Sequence, residues 1–208
     1  MIRFIHILFL SVICLCTACI GNKEQTHNVP QSTTDSRSAW VDSVLGVTGI
    51  KIMDDRNEIY QYDDKRFYWN KKYDYFLAYP SNFLHGEEAE LCDGNSFINK
   101  DSTICLHIFA AYFDVFKDDY TLREWFDSMI DSEIEQGNCI WRKDFTDNTY
   151  VIQGNTKKGR CLYQKAVCKM AYEREIIVTV ELEYTESVKA QAENLINTNI
   201  SNFPYNPL

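Results

Sequence analysis

Two stretches of the chain repeat apolar residues at the spacing of an amphipathic helix. The first begins after Thr121, and its apolar stripe consists of Leu122, Trp125, Phe126, Met129, Ile130 and Ile134. Thr121 with Glu124 three residues later forms a capping-box pattern, and Gly137 supplies a stop. The second stretch, residues 185–203, has an apolar face of Val188, Ala192, Leu195, Ile196, Ile200 and Phe203. Both patterns predict helices that pack on a sheet.

Most of the chain between residues 65 and 184 predicts strands joined by turns. Residues 65–81 are rich in aromatic residues and form a strand pair about a turn at 70–72, and residues 95–113 form a second pair. Four further strands are predicted at 138–145, 148–154, 160–172 and 175–184. Because connections this short join only antiparallel neighbours, the predicted class is α+β, an antiparallel β-sheet flanked by helices.

Short motifs at the turns and strand ends resemble the PsbP/Mog1-like fold. They are Tyr79-Pro80-Ser81, Asp93-Gly94-Asn95-Ser96-Phe97, the capped helix after Thr121, Tyr150-Val151 with Gly154, and Ser201-Asn202-Phe203 behind a helix led by Tyr184. The resemblance covers residues 67–203 and implies an α/β/α sandwich. Members of this fold are mostly small binding or assembly factors, many of them bacterial lipoproteins, and no shared catalytic residues come with the resemblance. Residues 40–66 fall outside it.

The N-terminus resembles a bacterial lipoprotein signal. An apolar run from Phe4 to Leu15 follows Arg3, and it has the length of a signal-peptide core but is too short to span a bilayer. Ala18 then precedes Cys19, which the resemblance makes the lipidated first residue of the mature protein. Cys16 departs from the pattern, in which leucine is usual at that place. An ordinary secretory signal and a short uncut anchor are the alternatives.

Composition along the chain predicts three parts. Residues 1–18 form the lipoprotein signal peptide, the polar residues 19–39 form a flexible tether, and residues 40–205 form a single α+β domain. The resemblance implies a location in the bacterial cell envelope, with the lipid in the membrane. The outer membrane is favoured because Ile20, rather than aspartate, follows the cysteine.

The charge balance and the motifs exclude several classes of function. The chain has 21 basic and 30 acidic side chains and a net charge of −9, so it lacks the basic face that nucleic acid requires. No cofactor, metal site or catalytic motif is predicted. Cys105 and His107 share one strand face and could form a nucleophile with its base or half a metal site. A hydrogen-bonded core histidine is the more common outcome of this pattern.

The cysteines predict at most a partial set of disulfides. Of the eight, two lie in the signal peptide and Cys19 takes the lipid, which leaves Cys92, Cys105, Cys139, Cys161 and Cys168. An odd number leaves at least one thiol unpaired within the molecule. Counting strand register places Cys139 and Cys161 within a strand or two of each other, and we predict them as the possible disulfide.

The leading interpretation is a non-enzymatic binding or assembly module that is anchored by its N-terminal lipid and has a protein partner in the envelope. A toxin-immunity or protective lipoprotein and, less favoured, an enzyme are the alternatives. Residues 60–79 hold more aromatic rings than one sheet face can bury. Exposed rings anchor protein contacts, so a partner is predicted to dock around Tyr68 and Tyr73. Alternatively, residues 40–66 fold over these rings and bury them.

Overall fold

The computed structural model describes residues 50–54, 57–62, 64–86, 93–116 and 118–203. The strands are β1 (Ile50–Asp54), β2 (Glu58–Tyr62), β3 (Lys65–Asn70), β4 (Tyr75–Pro80), β5 (Leu84–His85), β6 (Gly94–Ile98), β7 (Ile104–Tyr112), β8 (Cys139–Phe145), β9 (Thr149–Asn155), β10 (Cys161–Ala171) and β11 (Arg174–Tyr184). The helices are α1 (Leu122–Glu135) and α2 (Lys189–Leu195). A 3₁₀ turn, Glu186–Val188, precedes α2, and a π-helical segment, Ile196–Ile200, continues it.

The strands form two antiparallel sheets. One has four strands in the order β1-β2-β3-β4, and the other has seven in the order β5-β6-β7-β11-β10-β9-β8. Strands that are adjacent in a sheet are also consecutive in the sequence, with one exception. Strands β7 and β11 pair although α1 and three strands lie between them along the chain. The predicted α+β class, an antiparallel sheet with helices, is confirmed. The four-stranded sheet was not predicted, because β1 and β2 come from the segment that the resemblance did not cover.

The seven-stranded sheet has two faces with different coverings. The face we call the inner face packs against the four-stranded sheet and the C-terminal helix, and its buried side chains include Leu106, Ile108, Val178, Val180 and Leu182. The opposite face, here the α1 face, packs under Trp125, Phe126 and Ile130 of the helix. Sheet residues in that second cluster come from β9, β10 and β11, so the cluster lies toward the β8 side of the sheet.

Helix α1 begins and ends where the sequence predicts. The Thr121 hydroxyl accepts a hydrogen bond from the backbone N–H of Glu124 at 3.2 Å, and the Glu124 carboxylate accepts one from the backbone N–H of Thr121 at 2.8 Å. Gly137 follows the helix with a φ of +93°, a conformation that glycine adopts without steric cost. Ile134, the last residue of the predicted stripe, is 46% exposed, so the packed stripe ends before the helix does.

Two polar side chains fix the C-terminal helix to the sheets. The Lys165 ammonium donates to the carbonyl oxygens of Ile200, Ser201 and Phe203 at 3.3, 2.7 and 2.7 Å. Asn199, in the π-helical segment, donates from Nδ2 to the Ala78 carbonyl of β4 at 3.0 Å. The predicted apolar face is confirmed, since Ala192, Leu195, Ile200 and Phe203 are all buried.

The predicted partner contact at Tyr68 and Tyr73 was wrong. Their exposed fractions are 0% and 5%. Tyr68 faces the interior, and its hydroxyl accepts hydrogen bonds from Nδ2 of Asn57 at 2.9 Å and of Asn70 at 3.2 Å. The Tyr73 ring packs against the Tyr112 ring at a centroid distance of 4.9 Å. A buried tyrosine needs partners for its hydroxyl group, and Asn57 and Asn70 supply them for Tyr68.

The aromatic rings of residues 60–79 divide between the two faces of the four-stranded sheet, as the alternation of side chains along a strand predicts. Tyr68 lies opposite Leu77 on the inward side, whereas Trp69 lies opposite Phe76 on the other side. The Trp69 and Phe76 rings stack with centroids 5.4 Å apart and an interplanar angle of 6°. The sequence therefore predicted the number and alternation of the rings but not which set faces the core.

The predicted disulfide between Cys139 and Cys161 was also wrong. Both residues lie level with Asn155, but on opposite sides of β9. Two strand spacings amount to about 10 Å, which exceeds the Cα separation of about 7 Å that a disulfide allows. Both cysteines are free thiols, and the Cys161 Sγ donates to a Glu186 carboxylate oxygen at 3.0 Å.

The predicted signal peptide, the tether and the lipidated Cys19 lie outside the described residues, and the three-part division of the chain stays a prediction. The described segments all belong to one unit, residues 36–208. Within those segments, no helix combines the length and the apolar character that a membrane crossing requires.

We expect two substitutions in α1 to separate its cap from its packing. Thr121→Ala removes a side-chain cap and should lower the free energy of unfolding by about 1 kcal/mol. Trp125 is 9% exposed and packs on the Phe113 and Phe116 rings, so Trp125→Ala should cost about 3–5 kcal/mol. Urea denaturation measures both, with Ser128→Ala on the exposed side of the helix as the control. Equal losses in all three variants would show that α1 is not docked as described.

Candidate functional site

A row of polar side chains crosses the α1 face of the seven-stranded sheet. It consists of Ser96 on β6, His107 on β7, Glu181 on β11 and Gln164 on β10, each directly opposite the next in the strand register. Residues paired in this way have Cβ atoms about 5 Å apart, so neighbouring members can interact. Gln164 is buried, and the other three are half-buried. We call this set the polar row.

At one end of the polar row, Ser96 and His107 form a hydrogen-bonded pair. The Ser96 Oγ lies 2.8 Å from the His107 Nδ1. Burial lowers the pKa of His107, the positive charge of Arg160 lowers it further, and the negative charge of Glu183 opposes both. The imidazole is therefore neutral at pH 7, and it can exchange a hydrogen bond with the serine in either direction.

At the other end, Gln164 connects three partners. Its Nε2 donates to Glu181 Oε2 at 3.0 Å and to Glu133 Oε1 at 3.5 Å, and its Oε1 accepts from the Tyr150 hydroxyl. Glu133 belongs to α1, so this network links the helix to the sheet. Burial is the largest cause of a raised pKa at Tyr150, which keeps the phenol protonated as a donor.

Glu181 is the titratable centre of the network. Burial raises the pKa of its carboxyl group to about 7, and the nearby charges of Glu133 and Glu183 act in the same direction. The hydrogen bond from Gln164 lowers the pKa and offsets part of this effect. Glu181 therefore gains or loses a proton near neutral pH, whereas an ordinary glutamate is fully ionised there.

The structure places Cys105 and His107 on one sheet face, as the sequence predicted, but not as a nucleophile with its base. Burial raises the pKa of the Cys105 thiol, which leaves it protonated and weakly nucleophilic. The Arg160 guanidinium donates from Nη2 to the Cys105 Sγ at 3.6 Å. His107 is hydrogen-bonded to Ser96 instead.

Sequence reasoning missed Ser96, Gln164 and Glu181. The available signal was the position of Glu181 between the apolar residues Val180 and Leu182, whereas Gln164 stands beside Lys165 and gave no such signal. Their meeting depended on the β7–β11 pairing, which no local pattern indicates. Across the described segments, no three His, Cys, Asp or Glu side chains are grouped so that they could hold a metal ion. The polar row can bind and release a proton, and its hydrogen bonds are satisfied internally.

A second feature lies at the end of the sheet where the β10–β11 hairpin turns. An open depression there is lined by Phe113, Leu122, Asp147, Asn148, Cys168, Lys169, Met170 and Glu175. Met170 is 56% exposed, and Val115, two residues beyond Phe113, is 60% exposed. We call Val115, Met170 and the depression the Met170 end.

The hairpin beside the Met170 end adopts an uncommon backbone. Tyr172 and Glu173 have φ values of 48° and 66°, in the left-handed region that favours glycine. Each such residue costs about 1–2 kcal/mol relative to an ordinary conformation. A two-residue turn between antiparallel strands favours positive φ at both positions, so the β10–β11 hairpin accounts for this conformation.

Comparison with known proteins gives a distant likeness in fold. A point mutant of the protein Mog1 is 10% identical, with a TM-score of 0.39, over 62% of this chain and 83% of its own. The Ran-binding protein Mog1p of Saccharomyces cerevisiae is 10% identical, also with a TM-score of 0.39, over 62% of this chain and 82% of its own. No protein-family model matches the chain, and no curated protein does. Similarity at this level says nothing about what this chain binds.

The raised pKa of Glu181 predicts how stability depends on pH. The folded state holds the proton up to about pH 7, whereas the unfolded chain releases it near the ordinary value of 4.5, so stability falls as the pH rises between these values. Glu181→Gln should remove this loss, on the order of 1–3 kcal/mol across the window. Chemical denaturation at several pH values measures it, with the exposed Glu193→Gln as the control. An unchanged slope in the Glu181 variant would contradict the assignment.

Proposed function

We propose that this chain is a lipid-anchored protein of the bacterial envelope that binds a protein partner and performs no catalysis. The lipid anchor rests on the sequence pattern that ends at Cys19. The binding role rests on the Met170 end, where apolar side chains are exposed around an open depression. The proposed location is the envelope membrane, with the outer membrane favoured by Ile20.

The exposure of Met170 and Val115 is the observation that carries the binding role. Met170 lines the depression together with Phe113, Leu122 and Cys168, and the other lining residues are Asp147, Asn148, Lys169 and Glu175. Exposed apolar surface that polar residues surround marks interaction sites in soluble domains. Methionine is also common at interfaces, because its flexible side chain adapts to the surface of a partner.

The polar row supports a structural role in preference to a catalytic one. Cys105 is protonated, and Ser96 has only a neutral histidine beside it. Within the described residues, the His107 ring has no recorded hydrogen bond to a carboxylate that would orient it as a base. A serine nucleophile depends on a base held in this way. Gln164 accepts a hydrogen bond from Tyr150 and donates to Glu181 and to Glu133 of α1, so these side chains connect the strands and the helix.

A photo-crosslinking amino acid at position 170 of the intact, lipidated protein tests the binding role. If a partner docks at the Met170 end, irradiation of cells should give one discrete adduct whose partner mass spectrometry identifies. The same substitution at Lys100, in the exposed turn at the opposite end of β7, serves as the matched control and should not give that adduct.

A second substitution makes the crosslinking result decisive. Val115→Glu places a charge beside the apolar surface and should reduce the yield of the adduct severalfold while leaving the protein folded. Two results would overturn the binding role. One is the same adduct from positions 170 and 100, and the other is an adduct whose yield does not change with Val115→Glu.

Substitution of Cys19 tests the anchor. Cys19→Ala removes the thiol that would carry the lipid, so the protein should be released from membranes or keep its signal peptide uncleaved. A diacylglyceryl group provides stable attachment, whereas a single acyl chain binds only marginally. Mass spectrometry of the mature N-terminus measures the outcome, with Cys16→Ala as the control. A mature chain that begins elsewhere and has no lipid would contradict the proposal.

A further inference from the structure

Strand β8 forms one edge of the seven-stranded sheet and carries an exposed tryptophan. Trp141 is 62% exposed. Ile140 pairs with Gly154 and Arg142 with Gln153, so Trp141 is the extra residue of a β-bulge. A bulge redirects the side chain at that point, and here the ring is turned toward solvent at the sheet edge.

Two lysines lie beside the beginning of β8. Lys157 and Lys158 are exposed in the turn between β9 and β10. The backbone N–H of Lys157 donates to Asn138 Oδ1 at 2.9 Å, and a Cβ added to Gly137 would lie 3.2 Å from the Lys157 Cδ. This turn is therefore held against the chain that leads into β8.

The two segments that form this edge are basic although the chain as a whole is acidic. Residues 136–145 and 155–160 together contain five basic side chains and one acidic side chain, in a chain that has 21 basic and 30 acidic ones. Asp144 binds Arg142 at 2.7 Å, and Arg160 binds Glu183 at 3.1 Å. Lys143 on β8 and Lys157 and Lys158 in the β9–β10 turn are the exposed lysines of these two segments. We call Trp141, Lys143, Lys157 and Lys158 the Trp141 edge.

We propose that the Trp141 edge docks on the surface of an anionic phospholipid bilayer. Tryptophan prefers the interface between lipid and water, and each lysine near an anionic membrane contributes about 1 kcal/mol. Lys143 on the outer strand opposes pairing with a second strand, which favours a membrane over another sheet as the occupant of this edge. The docking orients the domain relative to the membrane.

The proposed lipid anchor makes such weak docking effective, and the inference rests on that anchor. The predicted tether, residues 19–39, lies between the lipid and the domain. A flexible segment of about 20 residues reaches about 25 Å, so an anchored domain would stay close to the bilayer. Docking is then an intramolecular step, because the anchor keeps the domain at a high effective concentration near the bilayer. A binding free energy of a few kcal/mol is sufficient for such a step.

Quenching of tryptophan fluorescence by brominated lipid tests the proposal. The intact lipidated protein is reconstituted into vesicles of brominated phosphatidylcholine, with or without added phosphatidylglycerol. The part of the quenching that Trp141→Phe removes reports Trp141 alone, since the chain has four tryptophans. This part should appear with phosphatidylglycerol, and it should fall at high salt and in vesicles of phosphatidylcholine alone.

Matched lysine variants separate docking from a general effect of charge. Lys157→Gln/Lys158→Gln should lower the ratio of docked to undocked protein about thirtyfold, from about 1 kcal/mol for each lysine. Lys65→Gln/Lys100→Gln makes the same change of net charge at exposed positions elsewhere and should leave the ratio unchanged.

Two outcomes would overturn the inference. One is quenching of Trp141 that does not depend on phosphatidylglycerol, and the other is an equal effect of the two lysine pairs. Flotation of the vesicles distinguishes this failure from failure of the anchor. Protein that floats with the vesicles while Trp141 stays unquenched contradicts the docking alone, whereas protein that does not float contradicts the lipid anchor.

Discussion

The register of β11 against β7 and β10 is the constraint on which the rest of the structure depends. Strand β11 pairs with both neighbours over most of its length. Its residues Val178, Val180 and Leu182 face the inner core, whereas Glu181 and Glu183 face the α1 side. A slip of one residue would exchange these sets, carrying two carboxylates into the apolar inner core and moving the apolar side chains to the α1 face. The hydrophobic effect therefore fixes the register, and the register in turn assembles the polar row.

Contacts at one end of β11 hold that register. Arg174, its first residue, binds both carboxylate oxygens of Asp114 at 2.8 and 2.9 Å and lies 3.6 Å from the centroid of the Tyr112 ring. A planar guanidinium matches a carboxylate and an aromatic face at the same time, which suits arginine and not lysine. Tyr172 and Glu173 form a two-residue turn between β10 and β11. A turn of this length fixes the register of the two strands.

The polar row, the Met170 end and the Trp141 edge occupy different parts of the seven-stranded sheet. The polar row lies on the α1 face, and its hydrogen bond from Gln164 to Glu133 joins the helix to the sheet. The Met170 end lies at the β10–β11 turn, and the Trp141 edge lies at β8. A domain that binds a partner at one end and a membrane along one edge would present that partner in a fixed orientation. Met170, Val115 and Trp141 are exposed, so each of these three side chains can be replaced without unfolding the protein.

The sequence by itself determined the elements of this protein: the capping box of α1, the apolar face of the C-terminal helix, the hairpins and the α+β class. These depend on periodicity and on contacts between residues close in the chain, which a local pattern records. Only the tertiary structure decided which ring set faces inward, that β9 separates Cys139 from Cys161, and that Ser96, His107, Glu181 and Gln164 form one row. Each of these depends on the order of strands in a sheet. That order is set by the burial of apolar surface shared among distant segments, and no single segment carries it.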